Sequence, residues 1–92
     1  MSAFDRDHRR ALRRLSDAGA FCVTKPKLPE AVLLVPRGRE LHKIGTVPRK
    51  TILDLYQIGA LTGQHMTDGM ERYKITGGGK ALLERLLKEG TA

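Results

Sequence analysis

The residues that most constrain this chain are its breakers. The chain holds ten glycines and four prolines, and most of them stand at the ends of its periodic stretches and cut these short. Gly19 can close a first helix in the left-handed conformation that needs no Cβ. Pro26, Pro29 and Pro36 punctuate two extended runs, Gly38 and Gly45 bracket a further segment, and Pro48 and Gly59 delimit a helix. The resulting order of helix, strands, helix, hairpin and helix predicts an α+β fold. At 92 residues there is room for one core only, so residues 1–92 are expected to form a single domain.

Hydrophobic periodicity fills in the segments. Residues 4–18 read as a helix, with Phe4, His8, Ala11, Leu12, Leu15 and Ala18 on one face. Ser2 is the expected cap, with Asp5 completing a box-like signal. The opposite face carries Arg6, Arg9, Arg10, Arg13 and Arg14. Residues 20–25 and 31–35 read as β-strands that pair across Lys25–Glu30. Residues 37–47 admit two readings: a short helix over 39–44, or a third extended segment. A helix is predicted over 48–58, with Pro48 in its first position, Ile52, Leu55 and Tyr56 facing inward, and Lys50, Asp54 and Gln57 outward. Asp68-Gly69 marks a tight hairpin turn between residues 62–67 and 70–76. With that turn, His65 faces Arg72 and Gln64 faces Tyr73, so His65, Arg72 and Lys74 share the solvent side while Tyr73 and Ile75 face the core. A last helix runs from Gly78 to Glu89, with Leu82, Leu83, Leu86 and Leu87 as its stripe.

Charge narrows the function. Lys and Arg number 17 against 10 Asp and Glu, a formal net of +7. Residues 1–50 hold 12 of those cations and 5 of the acids, so the entire excess lies in the first half. A one-sided basic field points to a polyanion, most simply nucleic acid. Trp is absent and aromatics are 4%, which argues against a base-stacking platform for single strands. No apolar run reaches the length of a membrane span, and the N-terminus lacks the apolar core of a signal peptide. Cys22 is the sole cysteine, which fits a reducing compartment, and it reads as a core residue. A cytoplasmic, nucleoid-associated location is therefore expected.

The motifs carry a resemblance. Residues 41–55 resemble a helix-turn-helix, with Leu41, Val47, Ile52 and Leu55 at the spacings that lock a first helix against a recognition helix. His42 stands where that motif has a small residue, and Gly45 lies one position ahead of the usual turn glycine. Leu55-Tyr56-Gln57-Ile58-Gly59-Ala60-Leu61, then a polar hairpin, then Arg72-Tyr73-Lys74-Ile75-Thr76-Gly77-Gly78-Gly79-Lys80-Ala81-Leu82-Leu83, is similar to the end of bacterial winged-helix proteins. The front half is similar to an alphaproteobacterial winged-helix family found in replication-like and gene-transfer-agent activator proteins. The resemblance implies a winged helix (helix, β-hairpin, recognition helix, β-hairpin wing, C-terminal helix) that binds double-stranded DNA and regulates transcription. It places the recognition helix at 48–58 and the wing at 62–76.

On that reading Arg49, Lys50 and Thr51 contact DNA from the first turn of the recognition helix, where unpaired N–H groups favour anions. Gln57 reads a base edge further along, Arg37, Arg39 and Lys43 clamp the backbone, and His65, Arg72 and Lys74 lay the wing against a groove or its phosphates. Each has an ordinary alternative as a solvated polar side chain. The arginine face of the first helix admits DNA, solvent or an acidic protein partner. The leucine stripe of the last helix suggests a homodimer. The runner-up function is a protein-interaction module, a small toxin or adaptor, using those two helices. No catalytic grouping, metal site or cofactor is expected: His8, His42 and His65 lack ligand spacing, and Gly77-Gly78-Gly79-Lys80 lacks the first glycine and the Ser/Thr of a phosphate loop.

Overall fold

The computed structural model describes residues 4–66 and 69–90. Ser2 as the expected cap, and Thr67 and Asp68 of the expected turn, lie outside the described residues. The elements run α1 (Arg6–Leu15), β1 (Phe21–Thr24), β2 (Glu30–Arg37), β3 (Glu40–Pro48), α2 (Arg49–Gln57), β4 (Leu61–His65), β5 (Glu71–Ile75) and α3 (Gly77–Gly90). The strands form one antiparallel sheet in the order β3-β2-β1-β5-β4. The class is therefore α+β, as the breakers imply.

Strand alternation decides which sheet face is covered. Cys22 lies opposite both Leu33 and Tyr73, and Ala31 opposite Val47, so these side chains share a face. They cluster with Ala11, Leu12 and Leu15 of α1, Ile52 and Leu55 of α2, and Leu83 and Leu86 of α3. All three helices thus seal one side. The other side carries Phe21, Val23, Val32, Leu34, Arg72 and Lys74 and has no helix over it. Tyr73 is 2% exposed and Leu61, Ile52, Leu55 and Leu86 are buried with it, as the hairpin reading requires. Ile75 and Leu82 pack against that cluster from its margin.

Helix α1 is shorter than its periodicity suggests, because local hydrogen bonds end it early. Asp5 is its cap: the Asp5 carboxylate accepts the His8 N–H at 3.0 Å, and the Asp5 N–H points back to His8 Nδ1 at 3.2 Å. At the other end Ser16 Oγ donates to the Arg13 carbonyl, and the chain turns so that Ala18 is exposed. His8 is packed between Asp5 and Asp54 of α2, with Nε2 3.4 Å from the Asp54 carboxylate.

The segment left open over 37–47 is strand. Gly38, at φ 65°, begins a two-residue turn, and β3 then pairs with β2 along its whole length. Ile44 is accommodated as a bulge where Leu33 pairs with Gly45 and Leu34 with Lys43. The short first helix of a helix-turn-helix is therefore not formed, and Leu41 is 57% exposed instead of locking two helices together. Pairing with β2 along the whole of this edge strand gives its inward backbone groups partners that an isolated six-residue helix, short of its costly nucleus, cannot secure.

Two further expectations are corrected. Tyr56 is 47% exposed at the flank of α2, its ring edge-on to Tyr73 with centroids 5.5 Å apart. In the second hairpin His65 pairs with Glu71, Gln64 with Arg72 and Gly63 with Tyr73. The Met66 N–H donates to the Met70 carbonyl, so three residues, not two, separate the strands. That single step leaves β5 facing as expected but turns β4 over. It also sets Gly63 beside the two tyrosines, where a Cβ would lie 3.0 Å from Tyr73 and 3.2 Å from Tyr56.

The glycine run before α3 is not a loose leader. Thr76 caps the helix, its Oγ1 accepting the Gly79 N–H and donating to the Gly59 carbonyl at 2.7 Å. Gly79 presses on the backbone leaving α2: a Cβ there would sit 2.2 Å from the Ala60 carbonyl oxygen.

Candidate nucleic-acid interface

Helix α2 presents three sides. Its inner side buries Thr51, Ile52 and Leu55. One flank meets α1 through Asp54, and the other meets the β1–β2 loop and the second hairpin through Arg49 and Tyr56. Only Lys50, Gln57 and the half-buried Leu53 face outward. Thr51, at 5% exposure, is thus a core residue and not a DNA contact. A threonine directly after two cations reads as surface, but β3 runs straight into α2 and sets its rotation.

Arg49 also changes role. Its backbone N–H donates to the Pro29 carbonyl at 2.8 Å, and its guanidinium donates to the Pro26 carbonyl at 3.3 Å. It therefore clamps the start of α2 to the β1–β2 loop. One N–H of the helix N-terminus is consumed in this way, which weakens the anion site expected there.

The expected wing residues divide between the faces of the sheet. Arg72 and Lys74 lie with Thr62 and Gln64 on the open side, where the Arg72 guanidinium stands 4.9 Å from the centre of the Phe21 ring. Lys43 is on this same open side at the far edge, opposite Leu34. His65 is on the helix side, beyond the end of the core, with Nδ1 3.9 Å from Glu71. Arg37 and Arg39 are exposed at the tip of the β2–β3 hairpin. With Arg49 and Thr51 set aside, the other eight candidates form an outward pair on α2 (Lys50, Gln57), His65 near it, a hairpin tip (Arg37, Arg39) and an open-face group (Lys43, Arg72, Lys74).

A hollow of about 270 Å³ separates α2 from the second hairpin, lined by Tyr56, Gly63, Gln64, His65, Glu71 and Tyr73. The Tyr73 hydroxyl donates to Glu71 across its floor. Burial, then Glu71, pushes the Tyr73 phenol up to about 12. Burial likewise pushes the Cys22 thiol up to about 12, which leaves it protonated and unreactive at neutral pH. Sequence reasoning missed Tyr56 as an exposed polar group on the flank of α2, because the ring it lies against, Tyr73, belongs to the second hairpin.

The arginines of α1 stand apart from these sites. Arg6, Arg9, Arg10, Arg13 and Arg14 line a groove of about 510 Å³ floored by Leu86 and Leu87 of α3. Among the described residues, none of the five lies within 4.0 Å of a carboxylate oxygen. No described helix is long and apolar enough to cross a membrane, and no described group of three His, Cys, Asp or Glu is placed to hold a metal ion. Set against the models of known protein families, the curated proteins and the solved structures, the chain matches none.

Proposed function

We propose that this protein binds double-stranded DNA as a winged-helix variant and regulates transcription in a bacterial cytoplasm. The observation that carries this reading is the order α1, three antiparallel strands, α2, second hairpin, α3, with α2 followed at once by the β4–β5 hairpin. The β2–β3 hairpin stands where a helix-turn-helix has its first helix. Helix α2 then serves as the reader with Lys50 and Gln57, the β4–β5 hairpin as the wing with His65, and Arg37 and Arg39 as a second phosphate-gripping arm. Phosphate contacts from Arg37, Arg39 and Lys50 supply most of the affinity, and the α2 side chains supply the discrimination. A homodimer through α3 would rest on Leu87, since Leu83 and Leu86 are buried in the core.

The reading is tested by titrating the protein with a short random-sequence duplex at two salt concentrations. Affinity should fall steeply with salt, and Lys50→Ala should reduce the salt slope by roughly one unit. Salt-independent binding, or none, would reject it.

A further inference from the structure

Apart from Leu87, on which a homodimer would rest, the α1–α3 groove has no part in that reading. Arg6, Arg9, Arg10, Arg13 and Arg14 fall three and four residues apart on one helix face, so Arg6–Arg10, Arg9–Arg13 and Arg10–Arg14 are like-charge neighbours. Such pairs destabilise a free helix. No described carboxylate relieves them, although Asp54, Asp5 and Asp7 lie on or beside neighbouring turns. All five cations are arginine and none is lysine, and the guanidinium fork matches a carboxylate with two parallel hydrogen bonds. Between them runs an apolar floor, with Leu86 buried and Leu87 41% exposed.

We infer that the groove between α1 and α3 is the docking site for an acidic amphipathic helix of a partner protein. The occupant must bring two things at once: carboxylates for the arginine side on α1 and apolar side chains for Leu86 and Leu87 on α3. An amphipathic helix with leucines at helical spacing and glutamates beside them does both. A DNA duplex brings phosphates for the arginines, but its phosphate backbone offers Leu86 and Leu87 no apolar face to pack against. A second copy of this chain would bring its own positive charge to a positive surface.

The test uses the full chain and a synthetic Leu/Glu amphipathic peptide, with a scrambled peptide of the same composition and a random duplex as competitors. The ordered peptide should bind saturably, and at least about tenfold more tightly than the scramble. The double variant Arg9→Glu with Arg13→Glu should weaken it at least about tenfold, and Leu87→Asp by about three- to tenfold. Lys50→Glu should leave peptide binding unchanged while weakening the duplex, which separates this site from the proposed DNA surface. Circular dichroism checks folding, and should the arginine variant unfold, Leu87→Asp decides. Equal binding of ordered and scrambled peptides, no saturable binding, or self-association that Leu87→Asp abolishes would each overturn the proposal. So would loss of the duplex and retention of the peptide in the arginine variant.

Discussion

Helices α1 and α2 are of nearly equal length, lie on the same side of the sheet and each bury one face, yet their charges are used in opposite ways. Helix α2 is pinned at both ends. Arg49 ties its start to Pro26 and Pro29, and the Ala60 backbone after its end is held by the Thr76 N–H and pressed by Gly79. Helix α1 caps itself with Asp5 and is otherwise held by its packed side, and all five of its arginines are free of described carboxylates. Net charge therefore does not locate a binding surface; uncommitted charge does. Of the two cations that open α2, only Lys50 is uncommitted.

The largest expected effect tests the pin after α2. Gly79→Ala forces a methyl against the Ala60 carbonyl oxygen, backbone against backbone, where no side chain can yield. A loss of about 2–4 kcal/mol is expected in chemical denaturation. Gly77→Ala, with nothing within 4 Å, should instead stabilise by up to about 1 kcal/mol through helix propensity. Equal effects at the two glycines would mean that the α2–α3 junction is not rigid.

The next effect concerns the reading surface. Lys50→Glu removes an attraction and adds a repulsion, so duplex affinity should fall by about tenfold or more with the melting curve nearly unchanged. Arg49→Glu should instead lower stability. If Arg49→Ala weakens the duplex as much as Lys50→Ala without loss of stability, the assignment of Arg49 as a clamp fails.

How much of this was legible in the sequence depends on where the deciding partner sits. The three helices, the first strands, the burial of Tyr73 and Cys22, and the arginine face follow from periods of 3.6 and 2 within single segments. The strand identity of 39–44 does not, because Leu41 and Ile44 suit a helix turn and only pairing with β2 settles the matter. The hairpin register failed at its loop: Asp68-Gly69 favours a two-residue turn, but three residues separate Met66 from Met70, and one added residue carries His65 to the helix side. Arg49 and Thr51 were misplaced because the rotation of α2 is set by β3 running into it and by a loop some 20 residues earlier in the chain. Gly63 and Gly79 gave no local signal, since what they avoid lies on other elements.

The two helices should also answer opposite in sign to loss of an arginine. Arg49→Ala removes a hydrogen bond to Pro26 and should cost about 1 kcal/mol. Arg9→Glu replaces a repulsion with an attraction to Arg13, in the favourable order of acid before base, and should raise stability by about 0.5 kcal/mol. Denaturant midpoints measured at low and high salt check both. The gain at Arg9 should shrink with salt, because it is a surface charge effect, and the loss at Arg49 should not. Destabilisation by Arg9→Glu would show that this arginine already has a partner.

The smallest effect separates the helices by their caps. Helix α1 begins with a charged capping box, whereas α2 begins at Arg49 with no side-chain cap, since Pro48, expected as its first residue, is extended and ends β3. The His8 backbone N–H, then its side chain, holds the Asp5 carboxyl below its usual range. A carboxyl lowered in the folded state stabilises that state at neutral pH, and the contribution is lost as pH falls through the lowered value. Asp5→Asn keeps a good capping oxygen but cannot ionise, so it should cost only a few tenths of a kcal/mol at neutral pH. The stability curves of wild type and Asp5→Asn should converge as Asp5 protonates. Amide exchange should place the difference in the first turn of α1 and leave α2 unaffected. Parallel curves down to acid pH would mean that the Asp5 charge contributes nothing, and that α1, like α2, is held by its packed face alone.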